Sequence, residues 1–241
     1  MTGDVRLFLL FAVGGALVLL LLGEGRVPDR AHDRSRWPVN IALGILNAAL
    51  VRLLSVVAPA GAAITASQYD IGLFHHLDAP YWAVLIAAVI IMDFAIYWQH
   101  RAFHRFSWGW MLHKYHHADA AMDVTTAVRF NPTEALVSML YKSAMVMLLG
   151  FPLVAVALFE AWLVLGSLIE HSNIRLNPQV DAFIRRFWVT PAMHRVHHSA
   201  HGDDHNHNYG FAIALWDRLF GSYQTIESGA KIGLPPRDAA G

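Results

Sequence analysis

Long uncharged stretches constrain the fold of this chain more than any other feature. Residues 7–22 carry no charged side chain and approach the roughly 17–25 residues that a membrane-spanning helix needs. Residues 38–58 and 80–99 form two further candidates, and a fourth apolar region at 135–169 is interrupted near its middle by a Gly-Phe-Pro turn. No segment of useful length alternates as a strand does. The pattern predicts an all-α integral membrane protein with about four transmembrane helices.

The first apolar stretch has two interpretations, a retained anchor and a cleaved signal peptide. The residues before it include a single arginine, Arg6, which Asp4 offsets. No small-residue cleavage site precedes the charged segment 23–37. We therefore expect a retained membrane anchor.

The amino-acid composition excludes several classes of protein and of metal site. Only 15% of the residues are charged, against roughly 25% in soluble domains, and 56% are hydrophobic. Eighteen basic residues balance eighteen acidic ones, so an electrostatic nucleic-acid binder is not expected. The absence of cysteine excludes disulfides, iron–sulfur clusters and thiolate zinc sites. Histidine is the one polar residue that is unusually frequent, with fifteen in the chain.

The distribution of basic residues predicts how the chain is oriented. Four arginines lie in 23–37 and four basic residues in 100–134, whereas 59–79 has no lysine or arginine. Because cytoplasmic loops are enriched in these residues, 23–37 and 100–134 are expected in the cytoplasm. The third apolar stretch would then end at a cytosolic helical cap.

Three helix starts are legible. Asn131-Pro132, Asn177-Pro178 and Thr190-Pro191 each place a capping side chain before a proline. This is the preferred order at a helix N-terminus, and Glu134 adds an acid to the first turn of the first of these helices. The third predicted helix contains the second of two identical histidine motifs.

Spaced histidines are the strongest functional signal. His100 and His104 stand four residues apart at the end of the third apolar stretch, and the pattern HxxHH occurs twice, at 113–117 and 194–198. In a helix, spacings of three and four bring imidazoles together, whereas adjacent residues point about 100° apart. Eight imidazoles exceed the ligand count of one ion and suit two. These eight are His100, His104, His113, His116, His117, His194, His197 and His198.

Other interpretations of the histidines stay open at this point. Single HxxxH pairs are usually solvated or capping residues, and a histidine-rich metal transporter or buffer is the second alternative. Imidazole suits iron, copper, zinc and nickel alike, so spacing alone does not choose the metal. The absence of HExxH excludes a zincin-type protease.

Four segments together resemble a known family. YWQHRAFH at 97–104, WMLHKYHHAD at 110–119, TPAMHRVHHSA at 190–200 and HNHNYGFAIALWDRLFGSY at 205–223 are similar to the fatty acid hydroxylase superfamily, also called the sterol desaturase family. The resemblance covers about residues 85–223. It implies an integral-membrane di-iron enzyme that uses dioxygen to hydroxylate or desaturate lipids. DVTTAVRF at 123–130 resembles the bacterial and alkylglycerol-monooxygenase-like branch.

The resemblance also implies a ligand set. His171, in the fourth apolar region, resembles the isolated histidine that the family places between its HxxHH motifs, so nine histidines become candidate ligands for two iron ions, with zinc as a replacement in purified protein. Some relatives have a longer first spacing and a paired histidine where Ser167 stands here. This departure leaves one ligand position to water or to a later residue among His201, His205 and His207.

Two acids near the motifs are candidate partners of the ligand histidines. Asp93 lies seven residues before His100 on an apolar stretch, where an unpaired charge is expensive. It is expected to bond to a ligand histidine, with an interhelical hydrogen bond as the alternative. Glu170 adjoins His171 and has the same prediction, with an interfacial position as the alternative. Arg52 and Lys142 are expected to snorkel.

The predicted organisation follows. Residues 1–79 would form membrane anchor helices, 80–223 a fatty acid hydroxylase-like catalytic domain and 224–241 a flexible tail. The expected activity is hydroxylation of a fatty acyl, sterol or ether lipid in a membrane, with the active site on the cytoplasmic side of a bacterial inner membrane. Lipid desaturation and metal transport are the alternatives. The resemblance implies electrons from a separate reductase with a ferredoxin or a b-type cytochrome.

Overall fold

The computed structural model describes residues 3–201, 203–225 and 231–234, and these residues form helices joined by turns and short 3-10 segments. Within them β pairing is limited to isolated bridges, so the predicted all-α class is confirmed. The helices are α1 (Gly3–Arg26), α2 (Trp37–Leu53), α3 (Pro59–Gln68), α4 (Tyr81–Arg105), α5 (Ser107–His117), α6 (Pro132–Leu149), α7 (Leu153–His171), α8 (Pro178–Ile184), α9 (Pro191–His197) and α10 (Leu215–Leu219).

Three helices in the described chain are long and apolar enough to cross a membrane. They are Leu7–Arg26, Tyr81–Arg105 and Leu153–His171. α2 is apolar but only 17 residues long. The chain is thus a membrane protein, as predicted, and where about four spans were expected it has three candidate spans and one shorter apolar helix.

The helix boundaries follow the local signals. The side chains of Asn131, Asn177 and Thr190 each accept a hydrogen bond from a backbone N–H in the first turn of α6, α8 and α9. Gly150 ends α6 with φ +72°, and a Cβ there would lie 2.8 Å from the Ile71 carbonyl oxygen. The predicted interruption of the fourth apolar region is therefore confirmed as a turn between α6 and α7.

The apolar core lies among α3, α4, α6 and α7. Met92 and Ile96 of α4 meet Phe159 of α7, and Phe151 closes the end near the α6–α7 turn. α4 packs along α7 while α3 packs against α6. This packing sets the C-terminal ends of α4 and α7 beside α5 and α9, which carry the two HxxHH motifs.

Polar contacts tie the N-terminal helices to the loop that follows α5. The Arg36 guanidinium pairs with both Asp119 and Asp123. Glu24, buried on α1, accepts the backbone N–H of Asn173 at 2.7 Å. The segment called anchor helices thus also braces the histidine-bearing loops; its boundary at residue 79 stays a prediction.

Part of the C-terminal segment also lies against the second HxxHH motif. The Ala200 N–H donates to the Lys231 carbonyl at 2.8 Å, and the Gly233 N–H donates to the His198 carbonyl at 3.0 Å. Of the tail predicted at 224–241, residues 226–230 and 235–241 lie outside the described residues. The flexible tail stays a prediction.

Candidate metal centre

Two clusters of histidine side chains lie beside each other at the end of the helix bundle. One nitrogen from each member of a cluster lies within 4.8 Å of one nitrogen from every other member. All nine histidines expected as ligands belong to these clusters, His171 included. The five-histidine cluster contains His100, His104, His113, His117 and His197, and the four-histidine cluster contains His116, His171, His194 and His198.

Helix geometry explains how each HxxHH motif supplies both clusters. In α5, His113 and His117 are four residues apart and enter the five-histidine cluster, whereas His116 points to the other. In the α9 motif, His194 and His198 share the four-histidine cluster and His197 enters the five-histidine cluster. The divergence of adjacent residues by about 100° produces this division, as the spacing predicts.

Backbone carbonyls fix which nitrogen of several rings carries the proton. Nδ1 of His100 donates to the Tyr209 carbonyl at 2.8 Å, and Nδ1 of His197 donates to the His207 carbonyl at 2.7 Å. Nδ1 of His171 likewise donates to the carbonyl of residue 167 at 2.7 Å. A carbonyl can only accept, so a neutral ring held in this way presents a bare Nε2 to the cluster.

One buried carboxylate holds a further ring, and a second lies close to two others. Nδ1 of His113 donates to Glu134 Oε1 at 2.6 Å. The Glu170 oxygens lie 3.4 Å from His194 Nδ1 and 3.6 Å from His171 Nδ1. This proximity agrees with the predicted position of Glu170 beside ligand histidines. Sequence analysis interpreted Glu134 only as an acid in the first turn of α6. Because Asn131 already caps this helix, Glu134 was free for another role, and this was the signal that could have revealed it.

The facing nitrogens show that the clusters fit metal ions. Nε2 of His100 lies 3.0 Å from Nε2 of His113, and both rings donate through Nδ1. Nε2 of His116 lies 2.9 Å from Nε2 of His171, with both Nδ1 atoms on carbonyls. Two bare lone pairs at this distance repel, and a shared cation removes the repulsion. Three further members have buried ring nitrogens, and neither nitrogen of each has a hydrogen-bond partner in the described chain: His104, His117 and His198.

Burial keeps the cluster histidines outside the membrane-spanning segments neutral. Desolvation lowers the pKa of these imidazoles well below the ordinary value, and the neighbouring imidazoles lower it further. Neutral imidazole is the form that binds a metal ion. The groups concerned are His116, His117, His194, His197 and His198.

Asp93 has other partners than the ligand histidine expected from sequence. Its carboxylate accepts the indole N–H of Trp162 and that of Trp216, each at 2.8 Å. Seven residues separate it from His100 along α4, which is roughly 10 Å of helix. The alternative of an interhelical hydrogen bond is therefore the one observed, with Asp93 joining α4 to α7 and α10.

The later histidines flank the five-histidine cluster without joining either set. The His205 ring is buried with its centroid 5.9 Å from that of His104 and 5.0 Å from that of Trp110. His207 contributes its carbonyl to His197, and the side chain of His201 is 86% exposed. His32, which belongs to neither cluster, donates from its ring to the Glu24 carbonyl oxygen at 3.0 Å.

A large, mostly apolar cavity of about 800 Å³ leads to the five-histidine cluster. Residues of α2, α3, α4, α6 and α7 line it, and His100, His113 and Glu134 form part of its wall. This volume is in the range of cavities that enclose small organic ligands. An apolar molecule in this cavity would lie against the metal-binding nitrogens.

Comparison with known proteins agrees with this geometry. The chain is 27% identical over 185 residues to ornithine lipid hydroxylase OlsE of Rhizobium tropici, covering 75% of this chain and 55% of that protein. It is 26% identical over 223 residues to alkylglycerol monooxygenase of Danio rerio, covering 88% and 46%. The chain therefore spans about half the length of these curated relatives. No solved structure gives a significant match. Residues 85–222, more than half of the chain, match the family model described as fatty acid hydroxylase, and the chain belongs to that family.

Proposed function

We propose that this protein is a membrane-bound di-iron monooxygenase that hydroxylates a C–H bond of a lipid. One observation carries the proposal: two clusters of histidines with bare, facing nitrogens lie at the end of an apolar cavity. The names of the relatives, a lipid hydroxylase and an alkylglycerol monooxygenase, support the same class of reaction.

Each cluster would hold one metal ion. Imidazole binds iron, copper and zinc, but zinc has no redox chemistry, so oxidation of a lipid favours iron over zinc. When bound, the metal pair supplies the activation of dioxygen and the removal of a hydrogen atom from the substrate. We assign the nine clustered histidines as the ligands.

The protein's own groups orient the site and keep it dry. Glu134 and the carbonyls of Tyr209 and His207 hold three rings of the five-histidine cluster by their Nδ1 atoms, so that each Nε2 faces inward. The apolar wall of the cavity excludes water and aligns a hydrocarbon chain against His100 and His113.

The arginine distribution supports a cytoplasmic active site. Segments 23–37 and 100–134 carry the basic residues, and the first braces the second through Arg36. Electrons would then come from a cytoplasmic reductase with a ferredoxin or a b-type cytochrome. The apolar character of the cavity disfavours metal transport, because a permeating ion needs polar ligands along its path.

The test is metal analysis combined with isotope-labelled turnover. Protein purified from membranes should contain about two iron ions per chain. Membranes containing the protein and incubated with ¹⁸O₂ should yield a lipid that carries one labelled oxygen atom. Membranes with the His198→Ala variant should not. A new double bond without labelled oxygen would identify a desaturase instead, and fewer than two metals in folded protein would contradict the di-metal assignment.

A further inference from the structure

Three charged residues lie on the wall of the cavity away from the histidines. Arg52 belongs to α2, Lys142 to α6 and Glu160 to α7. Lys142 Nζ donates to both Glu160 oxygens, at 2.8 and 3.0 Å. Glu160 lies in the candidate span Leu153–His171, and ionisable side chains within such spans are expensive and mark ligand pathways when they face a cavity. We call this trio the charged mouth, because Arg52 is both exposed and part of the cavity wall.

The charged mouth carries one positive charge that is not balanced. Lys142 and Glu160 neutralise each other, whereas the Arg52 guanidinium makes no hydrogen bond or ion pair with any described residue. Arginine binds carboxylate and phosphate through parallel hydrogen bonds. An anionic group brought by the ligand would complete the charge balance at this position.

Helix geometry gives the offset along α6 and α2 between the charged mouth and residues beside the metal site. Lys142 follows Glu134 by eight residues of α6, or roughly 12 Å. Arg52 follows Asn47 by five residues of α2, or roughly 8 Å, and Asn47 donates to the carbonyl of Phe130, whose ring stacks on His116. An extended chain advances about 1.2 Å per bond, so these offsets of roughly 8–12 Å correspond to about seven to ten bonds.

We propose that the charged mouth binds the anionic group, carboxylate or phosphate, of a lipid whose hydrocarbon chain fills the cavity. Arg52 pairs with that group, and the Lys142–Glu160 pair holds the neighbouring walls of α6 and α7 together. The carbon that reaches the histidines is then a mid-chain carbon and not the one beside the anionic group. The inference rests on the proposed function in taking this lipid as the substrate.

Binding of three lipids that differ only in their polar group tests the proposal. Hexadecanoate, hexadecyl phosphate and hexadecanol are titrated into the metal-loaded protein in a neutral maltoside detergent, without dioxygen, and heats of binding are measured. At least one anionic lipid should bind about tenfold more tightly than hexadecanol, as one charge-assisted hydrogen-bonded pair provides. Whichever of hexadecanoate and hexadecyl phosphate binds more tightly identifies the anionic group that the charged mouth binds.

Matched variants separate the charged mouth from general charge effects. Arg52→Gln should abolish the preference for the anion and leave hexadecanol binding unchanged. Arg186→Gln, at an exposed arginine outside the cavity wall, should keep the preference. Metal content and elution volume equal to those of the parent protein establish that Arg52→Gln is folded. Equal binding of all three lipids by the parent, or an undiminished preference in Arg52→Gln, overturns the proposal.

Product analysis distinguishes this inference from the proposed function. With dioxygen and reductant, hydroxylation of the bound anion at mid-chain supports both. Hydroxylation beside the carboxylate or phosphate overturns the orientation argued here while the oxygenase assignment stands. An intact, Arg52-dependent preference without oxygenated product from any lipid overturns the oxygenase assignment and leaves the anionic lipid site.

Discussion

The two histidine clusters use the same motifs but have different surroundings. α5 and α9 contribute to both, α4 contributes only to the five-histidine cluster, and α7 only to the four-histidine cluster. The five-histidine cluster reaches the cavity wall through His100 and His113, whereas none of the four-histidine cluster is part of that wall. The two clusters therefore offer the same ligand chemistry in different surroundings, since only the five-histidine cluster adjoins the cavity.

The largest expected effect comes from removing one ring from each cluster. The rings of His117 and His198 stack across the boundary between the clusters at 4.3 Å. His117→Ala and His198→Ala should each abolish turnover and reduce the iron content from about two ions to about one, because each opens one coordination sphere. Elemental analysis and ¹⁸O₂ incorporation are the measurements.

The control for these variants is an exposed histidine outside both clusters. His76→Ala should keep both metals and full turnover. If either cluster variant retains both metal ions, the division into two separate ion sites is wrong.

Replacing the buried carboxylates beside the Nδ1 atoms of the cluster histidines should have the next largest effect. Glu134→Gln weakens the hydrogen bond that orients His113. Glu170→Gln replaces the carboxylate that lies 3.4 Å from His194 Nδ1 with an amide. Each substitution should cost about 10–100-fold in metal affinity or activity. Glu134 is also part of the cavity wall, so its variant alone should change the KM for lipid. Chelator titration and steady-state kinetics measure the two effects.

Asp70→Asn is the matched control for the carboxylates, since Asp70 has an 85% exposed side chain far from the clusters in sequence. An unchanged metal affinity in Glu170→Gln would show that Glu170 does not support the four-histidine cluster.

Asp93→Asn should affect stability more than catalysis. An amide can accept one indole N–H but presents an N–H to the other, so one buried donor loses its partner at a cost of about 1–3 kcal/mol. Because Asp93 bonds to Trp162 and Trp216, turnover per folded, metal-loaded protein should stay near that of the parent. Thermal unfolding in detergent should show a lower midpoint. A large loss of metal with unchanged stability would restore the role expected from sequence.

The smallest effect is expected at Ser167. His171 is held by the backbone carbonyl of Ser167. The Ser167 hydroxyl lies 3.5 Å from the Ala127 carbonyl oxygen and 3.5 Å from His171 Nδ1. Ser167→Ala keeps the carbonyl, so stability should change by less than about 0.5 kcal/mol, with metal content unchanged. Loss of one metal ion in this variant would show that the hydroxyl supports the four-histidine cluster.

Local patterns in the sequence were enough to predict the helical class and the starts of α6, α8 and α9. These features depend on interactions over about four residues, such as the cap from Asn131 and the turn at Gly150. The same range determines that His116 points away from His113 and His117. The membrane assignment also follows from sequence, because hydrophobic length is a property of continuous segments.

The tertiary structure alone decided which distant residues meet. His113 bonds to Glu134 across 21 residues, and His100 to the carbonyl of Tyr209 across 109. The charged mouth joins three helices, and Asp93 finds indoles in place of a histidine. Helix packing sets such contacts, and it depends on the shapes of whole helix faces and not on any short motif. The sequence by itself determined which side chains are available to hold metal and how each HxxHH motif divides, and the packing of α4, α5, α7 and α9 determined which histidines of different helices meet in each cluster.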